Sequence, residues 1–320
     1  MKMMKIVHTL AVVACIGAAV SATAQTKYPE RPVTIIVPWG AGGATDLLAR
    51  LLAENLKAEF NQPFVVENRP GATTGIGASF VARSPKDGYT LMLTTSTTSV
   101  TNPLTNAEAT YKPEQFAAVA LVAAVPYALV TGKAFAGKSL AEFVEYGKKN
   151  PGQVTYGTSG VGSFSHFLGG KIMKTLGIKA RPVPYSGNGP ALADTLSGAI
   201  SSNIEALATG DAQIKSGNFT GLAMATTERL PQLPNVPTFK ELGYETLDME
   251  NWFAMFAPAG TPKPIIDKLN AALTKITTGA AYKKKMDELS TPARWSTPEE
   301  LEALVQRDIK AFRELLTSAE

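Results

Sequence analysis

The sequence predicts a two-lobed α/β protein in which each lobe is a mixed, mostly parallel sheet flanked by helices. Three observations carry that expectation. Strand-like apolar runs alternate with helical patterns along most of the 320 residues, the mark of a largely parallel sheet. The alternation comes in two series, before and after "FAAVALVAAVPYALV" at 116–130. Each series contains its own glycine-rich strand-to-helix turn, "PWGAGGATDLLAR" at 38–50 and "YGTSGVGSFSH" at 156–166.

The first element is not expected to belong to the mature fold. Lys2 and Lys5 precede the apolar stretch "LAVVACIGAAV" and the small-residue spacing Ala22-Thr23-Ala24, which together read as a secretory signal peptide over residues 1–24. Cleavage before Gln25 would remove the only cysteine, Cys15, and one of the two histidines, His8, and would lower the formal charge from +4 to +2. "VVAC" loosely matches a lipid-attachment site at Cys15, but the apolar run before it is short and Val13 fits poorly, so the unanchored reading is favoured. An exported chain without cysteine has no disulfide framework and must hold together by its core.

In the first series "VTIIV" (33–37) reads as a strand and Asp46–Phe60 as a helix with Leu47, Leu48, Leu51, Leu52 and Leu56 on one face. "FVVEN" (64–68) leads through "RPGATTGIGA" into a short helix ending near Ser84-Pro85, and "DGYTLMLTT" (87–95) is a turn and a strand. The second series runs from the helix "SLAEFVEYGKKN" (139–150) to the strand "QVTYGT" (153–158), a helix reaching Gly177 and the strand "ARPVPY" (180–185). A helix from Pro190 to Ser197 and the strands "AISSNIEAL" (199–207) and "TGLAMAT" (220–226) complete it. The prolines of "LPQLPNVPTFKELG" (230–243) forbid long regular elements, so this is a loop packed over something. "TLDMENWFAMFAPAG" (246–260) is extended and returns the chain to the first lobe. Two helices close the chain, the last opening on Thr297, Pro298 and Glu300 as a capping box ahead of an apolar stripe of Leu301, Leu304, Val305, Ile309 and Phe312. The expected lobes are 25–127 with 253–320, and 128–252.

Composition excludes several classes of function. Near-neutral charge with scattered Lys and Arg argues against nucleic acid, and "KKK" at 283–285 fits a solvated helix face. After processing, no cysteine and one histidine remain and no Asp-x-Asp-x-Asp-Gly loop is present, so neither metal nor other cofactor is expected. A glycine-rich turn ahead of a helix does attract an anion, through backbone N–H groups and roughly half a positive charge at the helix N-terminus. The P-loop fails because Gly43 is followed by Ala44, Thr45 and Asp46 rather than Lys-Ser/Thr. A dinucleotide fingerprint, Gly40-x-Gly42-x-x-Thr45 with Glu67 beyond, lacks its third glycine, which leaves an exported NAD-dependent oxidoreductase as the alternative reading. A Ser163–His166 hydrolase would lack the Gly-x-Ser-x-Gly elbow. Two anion-seeking turns, one per lobe, suit a ligand clasped between them.

Seven motifs in order, "YPERPVTIIVPWGAGGATDLLAR", "VVENRPGATTGIGA", "DGYTLML", "YGTSGVGSFSH", "VPYSGNGPALADTLSGAI", "RLPQLPNVPTFKELGY" and "WFAMFAPAGTP", resemble the Bug-type solute receptors of tripartite tricarboxylate transporters across the whole mature chain. The resemblance implies a periplasmic-binding-protein-like (type II) fold, a periplasmic location, no catalysis, a small organic carboxylate as ligand and the subunits of a membrane permease as partners, with the receptor acting as a monomer. It implies that the first turn contributes Trp39, Ala41, Gly42, Gly43, Ala44 and Asp46, and the second Thr158, Ser159, Gly160, Ser163 and His166. Asp46 would repel a carboxylate at close range and is expected to hold the loop. Tyr185 follows a strand; Asn203 and Glu205 share one strand face. Thr73 and Thr74 stand where the family commonly has two glycines, Ser201 where it has Asp, and Glu205 where it often has Asp. The ligand is expected to be a C4–C6 dicarboxylate, a tricarboxylate, an aromatic acid such as terephthalate, nicotinate or an acidic amino acid, with hinges near 125–130 and 250–257.

Overall fold

The computed structural model describes residues 27–107, 109–247, 249 and 251–317. The signal-peptide assignment and Cys15 therefore lie outside the described residues, and the main compact body starts at Arg31. Its strands are β1 (Val33–Val37), β2 (Phe64–Asn68), β3 (Thr90–Thr95), β4 (Phe116–Val125), β5 (Tyr127–Gly132), β6 (Val154–Thr158), β7 (Ala180–Pro184), β8 (Ser202–Ala206), β9 (Phe219–Met224) and β10 (Asn251–Pro258). Its helices are α1 (Ala44–Phe60), α2 (Gly75–Ala82), α3 (Asn102–Thr105), α4 (Leu140–Lys149), α5 (Phe164–Thr175), α6 (Asn188–Ser197), α7 (Leu207–Lys215), α8 (Lys263–Thr278), α9 (Ala280–Glu288) and α10 (Pro298–Thr317).

Two five-stranded sheets organise the chain. The first has the order β2-β1-β3-β10-β4, the second β7-β6-β8-β5-β9. In each, three strands run parallel and one strand from elsewhere in the chain, β10 or β5, is inserted antiparallel. The continuous apolar run at 116–130 is split between the sheets at Pro126. Proline has no N–H to give to a ladder, so pairing breaks there; Val125 still pairs with Asn251 in the first sheet and Tyr127 with Ala206 in the second. The chain returns to the first sheet between Met224 and Asn251, ahead of β10 rather than within it, which puts Asn251 and Trp252 in the first sheet and Tyr127 in the second.

Helix α1 buries Leu48, Leu52 and Leu56 at fourfold spacing and ends on Asn61 in the left-handed region. The capping box of α10 forms as expected, with Thr297 N–H donating to Glu300 and Glu300 N–H to Thr297 Oγ1 at 2.9 and 3.1 Å. Its stripe of Leu301, Val305 and Ile309 packs on Ile36, Met92 and Phe256 of the first sheet. Side chains of this size contribute about 1.5–3 kcal/mol each when fully buried. The proline-punctuated loop covers the second sheet, placing Leu233 and Val236 against Val130, Phe219 and Met224.

Candidate functional site

The turn 38–43 leaves the C-terminal end of β1 and enters α1. Asp46, buried in the first helical turn, holds it: the carboxylate accepts Gly42 N–H at 3.0 Å and both Nε and Nη2 of Arg50 at 3.1 and 2.9 Å. Burial works to raise the pKa of this carboxyl, but the bonds from Arg50 and Gly42 outweigh it and leave the group below the ordinary aspartate value. Gly42 takes φ +79°, a left-handed conformation open to glycine without steric cost. Gly43, the N-cap of α1, offers no side-chain cap, so the opening N–H groups of that helix find no partner on it. Trp39 is buried beside them and its Nε1 has no hydrogen-bond partner.

The second glycine-rich turn is tied up largely by its own serine hydroxyls. Ser163 caps α5 by accepting His166 N–H at 3.2 Å, and Ser165 Oγ accepts Ser159 N–H at 2.9 Å while lying 2.9 and 3.1 Å from the Ser159 and Ser163 hydroxyls. The helix end that faces α1 is instead that of α6. Its N-cap, Gly187, also supplies no side-chain cap. A Cβ built on Gly43 would lie 3.6 Å from Gly189 N and 3.7 Å from Asn188 N. The two sheets thus present uncapped helix N-termini to one another.

Between them is an enclosed cavity of about 10 Å³, room for roughly one water. Its walls are Trp39, Gly43, Ala44, Thr45, Thr95, Thr97 and Phe253 from the first sheet and Tyr127, Ser159 and Asn188 from the second. The lobes touch around it: Gly40 N–H donates to Ser186 O at 2.9 Å, Phe164 N–H to Thr97 Oγ1 at 3.0 Å and the Thr101 hydroxyl to Gly162 O at 2.6 Å. Burial keeps the Tyr127 phenol neutral well above its usual range. A larger groove of about 720 Å³ runs along α2, but the hydroxyls there, Ser79 and Thr110, bond each other at 2.6 Å, and no helix N-terminus but that of α2 reaches it. Helix electrostatics therefore single out the smaller cavity as the candidate site.

Of the residues singled out from sequence, Trp39, Gly43, Ala44 and Ser159 line this cavity. Thr73 sits at the lip between the lobes: a Cβ on Gly160 would be 3.2 Å from Thr73 Oγ1. Thr74 is buried in the first lobe, its hydroxyl 3.5 Å from that of Tyr111. Asp46 and Ser163 serve as loop and helix scaffolding, and Thr158 is buried behind Ser159. Ala41 and Gly42 are exposed on the outside of their turn, with Gly42 N–H already committed to Asp46. Tyr185 points its hydroxyl to Asp194 at 2.6 Å; burial and that carboxylate push its pKa up to about 12. His166 is half-buried with Nδ1 unpartnered, and burial lowers its pKa. Asn203 and Glu205 are buried on β8, joined by a hydrogen bond from Asn203 Nδ2.

Thr45, Thr95, Thr97, Tyr127, Asn188 and Phe253 escaped the sequence reading. A signal existed for two of them: the hydroxyl run at 94–99 begins in the last residues of β3, and ligands of α/β sheets gather at the carboxyl ends of strands. Phe253 alternates with Trp252 along β10, and it is Trp252 that turns into the core, its Nε1 donating to Asp308 at 2.7 Å.

A two-lobed sheet pair with uncapped helix ends converging on one enclosed cavity defines a solute-binding protein of the periplasmic-binding type. The family model of the tripartite tricarboxylate transporter family receptor matches residues 48–318, and the chain belongs to that family. Protein BugT of Bordetella pertussis is 34% identical over 302 residues, covering 94% of this chain and 92% of its own length. A Rhodopseudomonas palustris structure with adipate superimposes with a TM-score of 0.88 at 32% identity, covering 91% of this chain and 98% of that one. MatC from Rhodopseudomonas palustris with bound malate gives a TM-score of 0.84 at 30% identity, covering 90% and 99%. Receptors of this family bind solutes and are not enzymes, so the oxidoreductase and hydrolase alternatives fall away.

Proposed function

We propose that this chain is the periplasmic receptor of a tripartite tricarboxylate-type uptake system, that it clasps a small dicarboxylate or aromatic acid between one lobe built on the β2-β1-β3-β10-β4 sheet and another built on the β7-β6-β8-β5-β9 sheet, and that it delivers the acid, as a monomer, to the membrane permease. The observation that carries this reading is the meeting of two uncapped helix N-termini, α1 and α6, at one cavity with no cation in its wall. Each such end offers roughly half a positive charge and free N–H donors, a combination that favours a carboxylate. Gly43, Ala44, Thr45 and Asn188 would supply these donors, and Ser159, Thr97 and Trp39 Nε1 the side-chain hydrogen bonds. Hydrogen bonds to a charged acceptor contribute about 1.5–3 kcal/mol each, so three or four are enough for a micromolar ligand at about 8 kcal/mol. Relatives solved with adipate and with malate hold diacids of six and four carbons respectively.

A diacid needs far more room than the cavity offers, since small-molecule pockets run to roughly 300–1,000 Å³. Entry therefore proceeds by rotation of the lobes at Pro126 and in the 225–250 segment, with closure favoured because only then do both helix ends reach the ligand. Thermal shift against a panel of carboxylates tests the reading. Adipate, malate or terephthalate is expected to raise the melting temperature with saturation, corresponding to about 2.7 kcal/mol at a hundredfold excess over Kd. A panel of dicarboxylic, tricarboxylic and aromatic acids that leaves the transition unmoved would overturn it.

A further inference from the structure

Glu205 is fully buried on β8 and does not itself line the inter-lobe cavity. Asn203 Nδ2 and Thr209 Oγ1 donate to its carboxylate, the latter at 2.5 Å, and α7 packs so closely that a Cβ on Gly210 would be 2.5 Å from Glu205 Cγ. From β5 the nearest titratable group is the phenol of Tyr127, which is bound to Asn251 at 3.4 Å. On α7 the acid Asp211 is tied to Lys215 at 2.8 Å and to Ser290 at 2.7 Å. Among the described residues no Lys, Arg or His makes an ion pair with Glu205. A buried carboxylate without a cation is costly, and the neutral acid is the form that burial favours.

Its position gives that protonation a function. In the second sheet Ala128 of β5 lies opposite Glu205 of β8, and the neighbouring Tyr127 phenol, pushed upward first by burial, is pushed further by the Glu205 carboxylate, so the two groups sense each other. Ala206, the next residue of β8, pairs with Tyr127. Ser159 and Tyr127 both line the inter-lobe cavity. An organic anion held there stands within the same poorly screened interior as the Glu205 carboxyl, and two like charges in such surroundings cannot both be accommodated cheaply.

We infer that filling of the inter-lobe cavity by an organic anion is coupled to the uptake of one proton by Glu205. The inference rests on the receptor reading above and adds to it a thermodynamic partner for the solute. The proton comes from solvent and forms the O–H of the carboxyl; no other bond changes. Because coupling is reciprocal, anything that protonates Glu205 also tightens the grip on the anion. Burial lifts the Glu205 pKa to about 8, so both forms are within reach near neutral pH. The other ionisable groups around the cavity do not change charge between pH 7 and 9.5. His166 is held uncharged by burial, Asp46 is held ionised by Arg50 against its own burial, and Tyr127 is pushed upward by burial.

Calorimetric titration of the whole chain with adipate and with malate, each fully ionised from pH 7 upward, tests this in phosphate and in Tris. At about pH 8 the binding heat is expected to differ between the two buffers in proportion to the fraction of a proton taken up. Across pH 7 to 9.5 the Kd is expected to weaken, approaching tenfold per pH unit at the alkaline end. Glu205→Gln, permanently neutral, is expected to show equal heats in both buffers and one Kd throughout; Glu205→Asp, which keeps the titrating group, retains the buffer dependence and serves if the glutamine variant does not fold. Equal heats and a flat Kd in the wild-type chain would overturn the inference while leaving the receptor reading intact. Failure of every acid to bind would instead remove the receptor reading, and the coupling with it.

Discussion

Asp46 and Glu205 are both buried carboxyls, and their neighbours drive them in opposite directions. Arg50 and Gly42 N–H hold Asp46 ionised despite its burial, so its contribution to stability is present above the ordinary aspartate value and is lost as pH falls through the lowered folded one. Burial of Glu205 lifts its pKa from 4.5 to about 8. Between those two values the folded chain binds more protons than the unfolded chain at this position, so stability falls as pH rises through that window. Glu205→Gln is expected to remove that slope and to gain on the wild type as pH climbs from 6 to 9, measured as urea midpoints at the two ends. Parallel wild-type and variant profiles would show that the carboxyl does not change its charge on unfolding. Asp46 could be placed from sequence because its partners lie within four residues of it. Glu205 could not, because its isolation from cations is a property of the assembled sheet and of α7 packed on it.

At the scale of elements, strands and their order in sequence were readable wherever apolar runs were bounded by turn residues: β1 and β2 fall on "VTIIV" and "FVVEN". Helix α7 was not foreseen, because "LATGDAQIK" carries a mid-helix glycine and follows an apolar strand without a break. Nor was the π-helical turn Thr97–Thr101, whose hydroxyl-rich, β-branched residues suit a strand. There side-chain bonding replaces strand pairing, with Tyr111 donating to Thr98 O at 2.9 Å and the hydroxyls of Thr94 and Thr98 bonded to each other. Three helices rather than two close the chain, since Gly279 in extended conformation divides α8 from α9. The most consequential miss is the start of α6, which faces α1 only after both lobes have formed. A test follows from that contact. A methyl group on Gly189 would lie 2.8 Å from Ala41 O, closer than carbon and backbone oxygen tolerate. Gly189→Ala is therefore expected to weaken carboxylate binding about tenfold, or about 1.4 kcal/mol, while moving ligand-free stability by less than about 0.5 kcal/mol. Calorimetry and thermal melts check the two halves separately, and wild-type affinity in the variant would show that the two turns do not meet around the ligand.

For the molecule as a whole, the two sheets share one plan, a parallel triplet with an antiparallel strand inserted and an outer neighbour beyond it. That plan was legible because it repeats the same strand-helix rhythm twice. The closeness of the lobes was not, since it depends on contacts such as Thr101 to Gly162 between segments 61 residues apart. Among the described residues the chain passes between the sheets twice, at Pro126 and between β9 and β10.

The sequence holds three tryptophans, and the fold puts them in three different optical environments. Trp295 is 55% exposed and emits as an indole in water, and Trp252 is pinned to Asp308. Only Trp39 borders the cavity, with its ring nitrogen unpaired. Adipate or malate is therefore expected to shift or quench the intrinsic fluorescence of the chain through this one indole. The spectral change should survive Trp252→Phe and Trp295→Phe and vanish in Trp39→Phe, giving the receptor a label-free optical gauge of its own occupancy.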